Sequence, residues 1–162
     1  MKNPHMTTFR RILVPHDFSS HADRALRMAV DLAGSSGSVL VLHVVVPFTP
    51  VTDLPPAGLG AYIAPDELLS SARRQLDAIV RRVVRGRRPK VTGRVEIGDP
   101  YHRIVTATRG MDLVVMTTAG RTGLSHLLIG SVAEKVVRHS PVPVLTLRPQ
   151  AARRRPRRKT RR

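Results

Sequence analysis

Cysteine and tryptophan are absent from this 162-residue chain, and it holds only two tyrosines and three phenylalanines. Without thiols there is no disulfide framework, no thiol catalysis and no cysteine-based zinc or iron–sulfur centre. With aromatics at 3%, the core falls to Val, Leu, Ile and Ala, within an apolar fraction of 41%. No apolar run approaches the ~20 residues of a membrane helix. The polar stretch Met1–Thr8 runs straight into a strand-like segment and lacks the apolar centre of a signal peptide. A cytoplasmic protein with no membrane contact is therefore expected. Seven histidines are scattered with no HxH or HExxH spacing, and no Ser–His–Asp grouping or carboxylate pair is legible. No metal site and no catalytic residue are expected.

Acidic residues are also scarce: 11 Asp and Glu face 28 Lys and Arg, a net charge of +17. Eight of the positives, between Arg153 and Arg162, crowd the last twelve residues, and the remainder still carries 20 basic against 11 acidic groups. Residues 150–162 read as a disordered basic tail suited to nucleic acid or an acidic partner through counterion release. Residues 1–149 are long enough for one α/β domain with its own core.

Within that domain strand and helix patterns alternate. Arg11–Val14 is a short apolar run stopped by Pro15, and it reads as a buried strand. Asp17, Ser19 and Ser20 suit a helix N-cap, followed by a stripe of Ala22, Ala25, Leu26, Ala29 and Ala33, with Gly34 as the stop. Val39–Val46 is the second strand. A proline-rich stretch follows, and Pro65, Asp66 and Glu67 open a helix whose apolar face runs from Leu68 to Val83. Val91–Ile97 alternates as a third strand. Asp99 and Pro100 cap and start another helix, Leu113–Met116 is the fourth strand, Val132–His139 is a helix, and Val142–Leu147 is the last strand. Apolar strands joined by helices imply an open five-stranded parallel sheet with helices on both faces, in the order 3-2-1-4-5. Pro143 cannot donate to a ladder, which puts the last strand at an edge.

In such a sheet a ligand sits at the carboxyl ends of the strands where the winding reverses, here between strands one and four. Pro15, His16 and Asp17 leave the first of these. Thr117, Gly120, Arg121 and Gly123 leave the second, and Gly130-Ser131 opens a helix. Small residues, hydroxyls, an arginine and a helix N-terminus are what a phosphate group requires. Neither a Walker A loop nor a dinucleotide-binding glycine trio is present. Asp17 is the one acid this reading places at the crevice, positioned for a ribose or for magnesium through water.

Several segments together resemble the universal stress protein family. They are Ile12-Leu13-Val14-Pro15-x-Asp17-Phe18-Ser19, Leu42-His43-Val44, Gly120 to Leu124 with Leu128 to Glu134, and Pro141 to Leu145. The likeness spans about residues 9–149. The family's nucleotide-binding branch carries Gly-x2-Gly-x9-Gly-Ser/Thr, and this chain reads Thr117-x2-Gly120-x9-Gly130-Ser131, with Thr117 in place of the first glycine. The resemblance implies ATP as ligand, with or without Mg2+. Pro15 and Asp17 would frame the adenine side and Val44 would meet base or ribose. Gly120, Arg121, Gly130, Ser131 and Val132 would hold phosphates, with Thr117 offering a hydroxyl. It further implies a non-enzymatic or very slow ATP-binding stress-response protein, homodimeric through the last strand, Val142 to Leu147. The other reading is a nucleotide-free interaction module that binds polyanions through the tail.

Overall fold

The computed structural model describes residues 9–46, 65–84, 89–118 and 129–148. The proline-rich stretch, Gly120, Arg121, Gly123 and the basic tail lie outside them. Five strands and four helices alternate: β1 (Arg11–Pro15), α1 (Ser20–Ala33), β2 (Ser38–Val45), α2 (Pro65–Val84), β3 (Lys90–Ile97), α3 (Pro100–Ala107), β4 (Leu113–Thr117), α4 (Ser131–His139) and β5 (Val144–Leu147). The strands form one sheet in the order β3-β2-β1-β4-β5, and every neighbouring pair is parallel.

The period of two along each strand divides the core into two layers. Ile12, Val14, Val39, Val41, Leu113 and Val115 face one way, onto Ala25, Leu26, Ala29 and Ala33 of α1 and Ala72, Leu76 and Ile79 of α2. Leu13, Leu40, Leu42, Val114 and Met116 face the other way, onto Ile104 and Ala107 of α3 and Ala133 and Val136 of α4. β1 is central, and its Ile12, Leu13 and Val14 are fully buried. Each such side chain contributes about 1.5–3 kcal/mol of hydrophobic stabilisation.

Local signals set the element ends. Ser19 caps α1 by accepting from the Ala22 amide at 3.1 Å, and Gly34 ends it at φ +61°, where a side chain would be strained. Asp99 caps α3 by accepting from the His102 amide at 2.9 Å, with Pro100 in the first turn. β1 and β4 are tied at their starts by Asp112. Its Oδ2 accepts from the backbone amides of Arg10 and Arg11 at 3.0 and 2.8 Å, and its Oδ1 from the Arg11 guanidinium at 2.8 Å.

One expectation is corrected here. Pro143 does not lie within the last strand: β5 starts at Val144, and Pro143 precedes it with its carbonyl accepting from the Val114 amide at 3.0 Å. A proline carbonyl can still join a ladder, so the chain enters β5 in register without needing the missing N–H. β5 does occupy a sheet edge.

Candidate functional site

β1 and β4 are adjacent, and Ile12 and Leu13 lie opposite Leu113 and Val114. Counting on from that register puts His16 and Thr117 level with each other at the carboxyl ends. The winding reverses between these two strands, since β2 and β3 lie to one side and β5 to the other. Such a reversal leaves a crevice above the strand ends.

On the β4 side the amide of Gly130 donates to the Thr118 carbonyl at 2.7 Å, and the Thr118 amide donates to the Leu147 carbonyl at 3.1 Å. Those bonds draw the start of α4 to the tip of β4. Gly130 is the N-cap of α4, and among the described residues no side chain caps that end. The first amides of α4 therefore point outward with the positive end of the helix dipole behind them. Ser131 is exposed, Val132 packs half-buried on the layer beneath α3 and α4, and Thr117 is half-buried as the last residue of β4.

On the β1 side Pro15 ends the strand opposite Leu42, and the His16 amide extends the ladder to the Leu42 carbonyl at 2.8 Å. Asp17 is half-buried. Its Oδ1 accepts from the Ser19 amide at 3.1 Å and from the Ser19 hydroxyl at 2.6 Å, and its Oδ2 meets no partner among the described residues. Val44 lies near the carboxyl end of β2, half-buried on the α3–α4 side. Pro15, Asp17, Val44, Thr117, Gly130, Ser131 and Val132 thus lie on or beside the carboxyl ends of β1, β2 and β4. Gly120 and Arg121 fall outside the described residues.

Beneath the β1–α1 turn lies a buried polar cluster that the sequence reading above does not include. Phe18 has φ +68°, the one non-glycine residue with positive φ among those described, a conformation that costs about 1–2 kcal/mol. The turn is held from two sides. His16 Nδ1 accepts from the Phe18 amide at 3.1 Å. The His43 ring stacks on the Phe18 ring with centroids 3.8 Å apart, and its Nδ1 lies 2.7 Å from the His16 carbonyl oxygen. A carbonyl only accepts, so His43 Nδ1 carries its proton; by the same logic His16 carries its proton on Nε2. That Nε2 faces Asp23 Oδ1 of α1 at 3.3 Å, off the line of a hydrogen bond, and both atoms are buried without a hydrogen-bond partner among the described residues. Asp23 Oδ2 accepts from the Arg82 guanidinium of α2 at 2.6 Å. Burial favours neutral His16 and pushes its pKa below the ordinary value, against the pull of Asp23 and Asp17 and with a small push from His43.

Asp17 is therefore not the one acid near the crevice, because Asp23 lies directly behind the turn. A signal existed. Asp23 sits three residues before Leu26 and seven before Val30, on the stripe that α1 buries, and a carboxylate there demands a partner.

The described residues contain a hollow of about 940 Å3 at the opposite, amino-terminal ends of the strands, lined by Phe9, Arg10, Arg11, Ser36, Lys90 and Asp112 among others. Its carboxylate is already engaged by three donors, and it lies at the wrong end of the sheet for the crevice.

The architecture defines a class: a doubly wound α/β protein with a helix N-terminus at the point where its sheet reverses. The chain belongs to the universal stress protein family, whose family model matches residues 8–148. It is 30% identical over 142 residues to a universal stress protein of Methanocaldococcus jannaschii, covering 86% of this chain and 82% of that one. Among solved structures it is similar to the universal stress protein UspA from Lactobacillus plantarum, with TM-score 0.64, 27% identity, and coverage of 86% of this chain and 98% of the other. Two more distant folds hold nucleotides. One is a universal stress protein in complex with cAMP (TM-score 0.64, 19% identity, coverage 88% and 98%). The other is a family protein from Arabidopsis thaliana with AMP bound (TM-score 0.55, 19% identity, coverage 87% and 92%).

Proposed function

We propose that the protein is a non-enzymatic stress-response protein that binds an adenine nucleotide, ATP, in the crevice between β1 and β4, and that the ligand alters its conformation or its choice of partner. The observation that carries this reading is the start of α4, uncapped by any side chain among the described residues and held against the tip of β4 by the Gly130–Thr118 bond. Backbone amides at a helix N-terminus suit a phosphate without any charged side chain. Asp17, with one oxygen committed to Ser19 and the other without a partner among the described residues, suits a hydroxyl or amine at the nucleoside end. cAMP and AMP in two structures of the same fold support the choice of ligand class. A cytoplasmic location belongs to this reading; among the described residues no helix is long and apolar enough to cross a membrane.

Titration calorimetry with ATP tests it. Wild-type protein gives a binding heat, and Gly130→Ala weakens it about tenfold, the loss expected from one charge-assisted hydrogen bond. The added Cβ would lie 3.3 Å from the Thr118 carbonyl oxygen, tight enough to shift the start of α4. Neither heat nor thermal shift at millimolar ATP would end the nucleotide reading.

The same proposal includes a homodimer through the last strand, the segment Val142 to Leu147. β5 is an outer strand with Leu145 partly exposed, and an open edge of this kind pairs readily with another strand. Sedimentation at micromolar concentration should give a dimer, and replacing Leu145 with lysine should shift it toward monomer. A wild-type monomer throughout that range refutes the edge-strand dimer.

A further inference from the structure

Three polar side chains from three separate elements meet behind the β1–α1 turn, and none of them is among the residues proposed to hold the ligand. Arg82 is on α2, Asp23 on α1 and His16 at the end of β1, in contact in that order at 2.6 and 3.3 Å. We infer that Arg82 and Asp23 are positioning residues for the crevice. Arg82 orients the Asp23 carboxylate, Asp23 selects the form of His16 with its proton on Nε2, and His16 Nδ1 is left free to hold the Phe18 amide. That bond fixes the left-handed turn that sets Asp17 at the strand end.

The chemistry is directional. An imidazole nitrogen accepts from an amide only while it carries no proton. A carboxylate beside Nε2 holds the proton on that nitrogen and leaves Nδ1 bare. If Nδ1 gains a proton, two N–H groups face each other and the Phe18 bond is lost. Phe18 then has little reason to keep φ +68°, and Asp17, its neighbour, moves with it. The groups that face His16 are Asp17 from its own turn, Asp23 from α1 and His43 from β2, with Arg82 of α2 behind Asp23. His43 cannot replace the His16 bond, because its Nδ1 is committed to the His16 carbonyl. Arg82 is the exposed end of the chain, its side chain 65% accessible, so a change at the surface of α2 reaches the turn at the crevice through three contacts. Only the last step, the contact of Asp17 with a nucleotide, rests on the function proposed above.

The test uses full-length 15N-labelled protein and follows the His16 ring nitrogens by NMR as pH is varied. Wild-type His16 should show a proton on Nε2 and none on Nδ1 near neutral pH. Arg82→Gln leaves the Asp23 charge unshared and should raise the His16 titration midpoint by about 0.5–1 unit. Near the midpoint it should also speed hydrogen exchange of the Phe18 amide several-fold. Asp23→Asn should move the midpoint the opposite way. Because Arg82 is largely exposed, its variant keeps the test decisive if Asp23→Asn does not fold. A proton on Nδ1 in the wild type, or an unmoved midpoint in Arg82→Gln, overturns the inference. If the midpoints move as stated and ATP gives no heat, the nucleotide reading fails and the positioning chain stands. If ATP binds and Arg82→Gln leaves the pH dependence of its affinity unchanged, the link to Asp17 is refuted.

Discussion

Gly37→Ala should lower the unfolding free energy by about 3 kcal/mol, at the upper end of overpacking effects. Gly37 is buried in the turn between α1 and β2. A Cβ there would run into the Ala33 carbonyl oxygen and lie 2.9 Å from both the Ala33 Cβ and the Arg10 carbonyl oxygen. Two of these obstacles are backbone atoms, so no rotamer change relieves them. The same turn anchors three strands: the Ser38 amide donates to the Arg10 carbonyl at 2.6 Å and the Lys90 amide to the Gly37 carbonyl at 3.3 Å. Moving Gly37 therefore disturbs the starts of β1, β2 and β3 together. Ser36→Ala, one residue earlier and exposed, should stay within about 0.5 kcal/mol of wild type. Urea unfolding of the two variants makes the comparison, and a Gly37→Ala curve that overlays Ser36→Ala would show that the turn yields freely.

The second large effect is expected from acid. In the folded protein burial lowers the His16 pKa from its ordinary 6.5, whereas the unfolded chain keeps the ordinary value. Below that value the unfolded state binds the extra proton, so stability falls with falling pH and is fully present only above it. The slope approaches about 1.4 kcal/mol per pH unit for one proton, and it persists until the folded protein itself accepts the proton. His16→Gln keeps a hydrogen-bonding side chain without the titration and should flatten the curve between pH 6.5 and the folded midpoint. A wild-type stability that is level from pH 7 to 5 would show that His16 is not held neutral. Asp112 acts in a lower window. The Arg11 guanidinium bond holds its carboxyl below the ordinary 3.8; burial is the next largest effect and opposes it, and the backbone amides of Arg11 and Arg10 add to the lowering. That contribution is present above the ordinary carboxylate value and is lost as pH falls through the folded one, so the two effects separate along a pH series.

How legible the fold was depends on the range of the forces that set each part. The strands were read to within a residue or two at β1, β2, β3 and β4, because an apolar run closed by Pro15 or opened after Gly37 is a local signal. Ser19, Gly34 and Asp99 behave as the caps their residue types suggest, since a cap is satisfied within four residues of chain. Pro143 was read as a strand residue because Val142 and Val144 flank it. Its backbone reaches the ladder through the carbonyl alone, which only the position of Val114 reveals. The sequence also places β1 and β4 side by side where the winding reverses, as the structure has them. Asp23 was missed because its partners, His16 and Arg82, are 7 and 59 positions away and on other elements.

By itself the sequence determined the alternation of elements, the sheet order and the pair of strands at which the winding reverses. Those follow from hydrophobic period, caps and the handedness of strand–helix–strand connections, all properties of short segments. Only the tertiary structure decided the polar arrangement beneath the crevice: which proton His16 carries, why Phe18 tolerates its turn, and how α2 bears on both. Burial removes water as the default partner of every polar atom, so each pairing there depends on which distant side chain the fold brings within reach.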